Sequence, residues 1–325
     1  MTVIKKALIS ILITLLILIV GANAWYFYNT KIVESKKATE SSPETTQYMA
    51  IGPEQIAYQE INNHASTTVL FVGGLSAWNG TWARVMQAAN KNGLDFNYIA
   101  IDLPPFGYST VEPNSGYFRD QQATRISQFI ENMKLSQVII AAHSYGAGPS
   151  AEYALQHSGK MVKLIIIDGV LNIDEQKTSN TMPLINCDYL RNLLIGLLIH
   201  NEAFGISKFK SFVYLTDSID KDLFENYTRS FDTIGTTQKL SYWLRDYVND
   251  PLTHKSNLSA NYKGIPFPVR LIWGNKDTLT PMNGTEILLQ TIPNVRLHTL
   301  DGVGHIPMIE NPEKFDAALL DSLTH

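Results

Sequence analysis

Ser144 lies in Ala142-His-Ser-Tyr-Gly146, directly after the apolar, β-branched run Val138–Ile140, and the residues from Tyr145 onward read as a helix. A serine on a sharp strand-to-helix turn lifts its hydroxyl above the sheet, where a base can reach it. Small residues two positions to either side let that turn close, and Ala142 stands here where the G-x-S-x-G pattern has its first glycine. The same turn aims the backbone N–H of Tyr145 at the place where an oxyanion would form. A hydroxyl is a poor nucleophile at its own pKa. It needs a neutral imidazole as base, and a carboxylate to hold that imidazole's tautomer. Both occur downstream, each in a loop just past a strand: Asp277 follows Val269–Trp273, and His305 follows Val295–Leu300. Asp168, ending Leu164-Ile-Ile-Ile-Asp168, is a competing candidate for the acid. Together these residues imply attack on a carbonyl carbon and a covalent serine intermediate.

The elements that must position them alternate. Strands separated by helical stretches imply βαβ units, hence a mostly parallel sheet with helices on both faces. Tyr48–Gly52 and Ile56–Ile61 are predicted as an antiparallel hairpin at one edge. Between Leu171 and about Ala260 the rhythm breaks for longer than an ordinary crossover needs. Residues 171–258 are therefore predicted as an inserted helical cap, with helices over Tyr189–His200, Asp222–Asp232 and Thr237–Tyr247. The core is then 48–170 plus 259–325.

The order Ser144…Asp277…His305, with a strand before each, resembles the cap-bearing serine hydrolases of the α/β-hydrolase superfamily over roughly residues 48–325. Thr67–Val72 followed by Gly73-Gly74-Leu75-Ser76 is similar to that family's first parallel strand and oxyanion loop, with Gly73-Gly74 in place of the usual His-Gly. The resemblance implies an α/β-hydrolase fold and the Leu75 and Tyr145 amides as the two oxyanion donors. Tyr98–Leu103 before Pro104-Pro-Phe-Gly107-Tyr-Ser109 resembles the turn after the next strand, and Asn311-Pro312-Glu313 its final-helix start. Relatives that cleave halides or epoxides use aspartate where this chain has Ser144. The expected activity is hydrolysis of an ester or related acyl substrate. The alternatives are acyl transfer to another acceptor, amide or carbon–carbon bond hydrolysis by the same residues, or a non-catalytic binding protein on this fold.

The N-terminus carries a second signal. Lys5-Lys6 precede an apolar run from Ala7 through Tyr28, 22 residues long, which as a helix covers about 33 Å, enough for a hydrocarbon core of about 30 Å. Residues 1–29 thus read as a single-pass membrane anchor or as a signal peptide with an A-x-A site at Ala22-Asn23-Ala24. Either exports the catalytic domain, to the outer side of the cell membrane or to the periplasm or medium. Residues 30–47, rich in Lys, Glu, Ser and Thr, are predicted as a flexible tether. A net charge of −4 without a basic block argues against nucleic acid. The lone Cys187 excludes an internal disulfide. His64, His157, His200, His254, His298 and His325 show no ligand spacing, and the chain has no HExxH or P-loop pattern. No cofactor or metal is expected. The partners expected are the membrane and a small molecule with an apolar portion, since the cap is rich in leucine and aromatic residues.

Overall fold

The computed structural model describes residues 3–112, 115–175 and 183–325. Eight strands form one sheet: β1 Gln47–Ile51, β2 Glu54–Ile61, β3 Thr67–Val72, β4 Asn97–Ile101, β5 Gln137–His143, β6 Met161–Ile167, β7 Val269–Gly274 and β8 Val295–Leu300. Their order is β1-β2-β4-β3-β5-β6-β7-β8. The β1–β2 and β2–β4 pairs are antiparallel, and the pairs from β4–β3 onward are parallel. The chain thus has the α/β-hydrolase fold that its motifs imply.

The parallel strands are continuous apolar runs because both faces of the sheet are covered. Along β3, Leu70 and Val72 join the core on one face, and Val69 and Phe71 join the core on the other. The first face is closed by α3 (Arg119–Asn132) and α4 (Ala147–Gln156) through Ile126, Phe129, Ile130 and Ala151. The second is closed by α2 (Ala83–Lys91) and α10 (Pro312–Thr324) through Val85, Met86, Phe315 and Leu319. Each such large side chain, fully buried, contributes about 1.5–3 kcal/mol. Helix α10 starts as predicted, with the Asn311 side chain accepting from the Lys314 amide and Pro312 in the first turn.

Between β6 and β7 the chain leaves the sheet and builds α5 (Asp188–Leu198), α6 (Glu202–Phe212), α7 (Lys221–Thr228) and α8 (Thr236–Asn249), before α9 (Glu286–Thr291) follows β7. Helix α6 has no counterpart among the predicted helices. Ahead of the sheet, α1 spans Val3–Tyr28. The stretch after it is not the free tether that its polar composition suggests. Asn29 and Glu34 are buried, and the Glu34 carboxylate accepts from the Thr237 amide at 3.0 Å, from its hydroxyl, and from His200 Nε2 at 3.0 Å. Lys36 forms a backbone bridge with Thr233, and Ser41 Oγ donates to Asp232. Polar residues that read as solvated are spent on the start of α8 and the turn before it.

Candidate active site

In a parallel sheet every strand's carboxyl end lies along one edge, so loops far apart in sequence converge there. Leu75 lies three residues past β3, Ser144 one past β5, Asp168 one past β6, Asp277 three past β7 and His305 five past β8. Ser144 has a left-handed backbone, φ +52°, the strained turn expected of a side chain held out of a strand-to-helix junction. The turn closes only over small residues. A Cβ on Gly146 would stand 2.5 Å from the Gly73 carbonyl oxygen, and one on Gly74 would stand 2.7 Å from Ser144 Cβ and 3.2 Å from its Oγ.

The structure brings Ser144, His305 and Asp277 into one hydrogen-bonded chain. The Ser144 hydroxyl donates to His305 Nε2 at 2.8 Å, and His305 Nδ1 donates to Asp277 Oδ2 at 2.7 Å. All three are buried. The other Asp277 oxygen accepts from the amides of Leu279 and Thr280 at 2.8 and 2.9 Å, and the Thr280 hydroxyl lies 2.5 Å from Oδ2. Burial pushes the Asp277 carboxyl up, but the bonds from His305 and Thr280 outweigh it and hold it below the ordinary carboxylate value. It is therefore anionic at neutral pH, as an orienting acid must be.

Asp168, the competing acid, is not bonded to His305. Its Oδ1 accepts from the Gly274 amide at 2.9 Å, and its Oδ2 has no partner among the described residues. Burial, and then the negative charge of Asp277, push its carboxyl well above the ordinary range, which favours its protonated form. His143 packs behind the site, its Nε2 donating to the His305 carbonyl at 2.8 Å. Burial and the neighbouring His305 lower His143 to about 3, so it is uncharged. Asp102 ties its own turn, accepting from the amides of Asn79 and Tyr108. The Asp301 carboxylate accepts from the Asn275 side chain within the histidine loop.

Two residues that the sequence does not single out shape the site, Thr280 and Glu310. The buried Glu310 carboxylate accepts from the amides of Gly304 and Ile306 on either side of His305, and from those of Tyr214 and Leu215 just past α6. A carboxylate set between the apolar stretch Ile306–Ile309 and Asn311-Pro312 is the one sign of it in the sequence.

Two cavities meet at Ser144. One, of about 640 Å³, is walled by Tyr145, Leu171, Trp243, Tyr247, Trp273 and Ile287. The other, of about 60 Å³, is walled by Trp82, Phe209, Tyr227, His305, Ile306 and Met308. Leu75, Phe212 and Leu279 border both. The described residues lining the larger cavity include no lysine, arginine or histidine, and Glu175 is their single charge. Among the described residues no group of three His, Cys, Asp or Glu side chains is placed to hold a metal.

Known proteins share this architecture. The chain is 22% identical over 283 residues to Lipase 3 of Moraxella sp. (strain TA144), covering 86% of this chain and 84% of that one. It is 23% identical over 275 residues to a 2-hydroxy-6-oxononadienedioate/2-hydroxy-6-oxononatrienedioate hydrolase of Dechloromonas aromatica (strain RCB), covering 83% and 91%. Among solved structures, a membrane phospholipase A superposes with a TM-score of 0.66 at 21% identity, over 99% of this chain and 100% of that one. The meta-cleavage product hydrolase of Pseudomonas fluorescens IP01 superposes with a TM-score of 0.68 at 16% identity, over 85% and 97%. The family model for the alpha/beta hydrolase fold matches residues 67–312, and the chain belongs to that family.

Proposed function

We propose that this hydrolase cleaves carboxylic esters, or closely related acyl compounds, that carry a sizeable apolar group. Ser144 Oγ attacks the carbonyl carbon while His305 Nε2 takes its proton. The oxyanion is held by the Leu75 and Tyr145 amides, and Tyr145 lies in the first turn after β5, where an amide has no partner from a preceding turn. Collapse of the tetrahedral adduct expels the leaving group with the proton from His305. Water, activated by the same imidazole, then releases the acid. Asp277 orients the ring and stabilises its cation.

The observation that carries the choice of substrate is the wall of the larger cavity. Relatives include a lipase and a dienedioate hydrolase, and the two classes ask opposite things of that wall. A dianion needs cationic or multiple donor partners to offset its desolvation. Aromatic and aliphatic side chains with one acidic residue suit an uncharged acyl or aryl group instead.

The N-terminal helix is read as a membrane anchor that places the catalytic domain outside the cytoplasm, with a cleaved signal as the alternative. Val3–Tyr28 is apolar and its membrane-length window is wholly exposed in the fold. Labelling of the full-length protein by a fluorophosphonate, beside Ser144→Ala and His305→Ala, tests the nucleophile. A panel of p-nitrophenyl esters against a dienedioate tests the substrate class. Labelling that survives in Ser144→Ala refutes the nucleophile, and a clear preference for the dianion refutes the ester reading.

A further inference from the structure

We infer that the exposed residues Asn186 to Leu190, just before and at the N-terminal end of α5, form a lipid-contacting surface seated at the headgroup level of the bilayer that α1 crosses. This rests on the anchor reading of α1.

Helix α1 stands free of the rest of the molecule along Ile4–Gly21. Further on, Ala22, Asn23, Tyr26, Asn29 and Thr30 are covered, and that spacing is one helical face. What covers it includes α5. The Tyr189 hydroxyl donates to Asn23 Oδ1 at 2.8 Å, and Asn29 Nδ2 donates to the Gly196 carbonyl at 3.0 Å. A Cβ on Gly196 would stand 2.7 Å from the Tyr26 ring, so the glycine permits a close approach of the two helices.

The depth of that contact follows from helix geometry. A hydrocarbon core of about 30 Å needs about 20 residues at about 1.5 Å each. Lys5 and Lys6 mark one boundary, so a span that begins at Ala7 ends at Tyr26. If the lysines snorkel and the span begins at Ile4, it ends at Asn23. A tilted helix needs more residues to cross and ends later still. In each case α5 already touches α1 at or inside the far boundary, through Asn23. Trp25, Phe27 and Tyr28, exposed on α1, mark the same level as an aromatic belt.

The surface that α5 brings there suits it. Asn186 to Leu190 are all exposed, with Tyr189 at 55% and Leu190 at 39%. An amphipathic ring and an aliphatic chain together are what an interfacial helix inserts. The buried Arg191 on the next position donates through Nε to Ser241 of α8 at 2.9 Å. Helix α8 in turn supplies Trp243 and Tyr247 to the large cavity. The wall of that cavity is thereby fixed to a surface lying on lipid, which suits an ester resident in the bilayer.

Cys187, exposed and the chain's single cysteine, lies immediately before α5 and serves as the reporter. Full-length protein carrying an environment-sensitive fluorophore at Cys187 is reconstituted into phosphatidylcholine–phosphatidylglycerol vesicles and floated. The expected result is strong quenching by a headgroup spin label and by 5-doxyl lipid, with protection from aqueous iodide. Leu190→Glu should lose much of that quenching while still floating and still hydrolysing a short water-soluble ester. Protein that floats with an iodide-accessible, lipid-insensitive label overturns the lipid-contacting surface and leaves the anchor standing. Protein that does not float overturns both.

Discussion

Asp168 and Asp277 follow the neighbouring strands β6 and β7, and both carboxyls are buried, yet Asp277 alone bonds to His305. The Asp168 carbonyl accepts from the Thr280 hydroxyl at 3.1 Å, and that hydroxyl also touches Asp277. One residue is thus an anion braced by amides, and burial at its side favours the protonated form of the other. Two carboxyls so placed divide their charge states because both cannot ionise cheaply.

Asp168→Asn should therefore leave ester hydrolysis within a few-fold of wild type, since asparagine can still accept the Gly274 amide, whereas Asp277→Asn should be severely impaired. Stability carries the opposite signature. A carboxyl raised in the folded state keeps its proton after the unfolded chain has lost one, so its contribution falls as pH rises above about 3.9. The melting temperature of Asp168→Asn relative to wild type should rise between pH 5 and pH 8. A constant difference across that range would mean that Asp168 is ionised in the fold.

Gly74 has no room for a side chain against Ser144. Gly74→Ala forces either Ser144 or the Leu75 amide out of place, so on the proposed mechanism kcat/KM should fall by about 10²–10³, the loss typical of one oxyanion donor. An unchanged rate in a folded variant would remove the Gly73-Gly74-Leu75 turn from the mechanism.

His143 sets an acid limit on stability. Its value is lowered to about 3 in the fold and is about 6.5 when unfolded, so the unfolded chain takes the proton first as pH falls. The contribution is complete above about pH 6.5 and declines below it, by about 2 kcal/mol at pH 5, at 1.36 kcal/mol per unit. His143→Gln, which keeps a donor for the His305 carbonyl, should lose that slope. Urea unfolding of both proteins at pH 7 and pH 5 measures it, and parallel slopes would refute it.

Much of this site was legible in the chain, for a physical reason. Buried parallel strands are continuous apolar runs, and the residue just past each one must lie on the chemical edge of the sheet. Ser144, Asp277 and His305 stand out on that basis. The choice between Asp168 and Asp277 did not, because both end such runs, and only the reach of the His305 loop decides. Glu310 was hidden because its meaning lies in amides 95 and 96 positions away, at Leu215 and Tyr214. Glu34 was hidden for the same reason: in a polar stretch it reads as solvated, and Thr237, 203 residues on, makes it otherwise. Apolar periodicity reports burial against a core. It is silent about a carboxylate buried against amides.

Glu310 holds both the His305 loop and the chain just past α6, where the Phe212 carbonyl accepts from the His305 amide at 3.1 Å. Glu310→Ala strands several buried amide donors and should destabilise the protein by about 3–5 kcal/mol, at about 1–3 kcal/mol for each donor left unsatisfied. Fluorophosphonate labelling should slow sharply, because His305 is no longer held beside Ser144. Equal labelling rates at a temperature where both proteins are folded would show that the clamp is structural only.

Glu34 joins the segment after α1 to the start of α8, two turns before Trp243. Glu34→Ala should lower stability by about 1.5–3 kcal/mol, the worth of hydrogen bonds to a charged group. Its kinetic mark should fall on KM for long-chain esters rather than on kcat, because α8 shapes the apolar wall and does not touch the reacting atoms. Glu34→Gln, which can still accept from the Thr237 amide, should recover part of both. A variant with normal KM across chain lengths and a lowered melting temperature would confine Glu34 to stability, and would separate the segment after α1 from the choice of substrate.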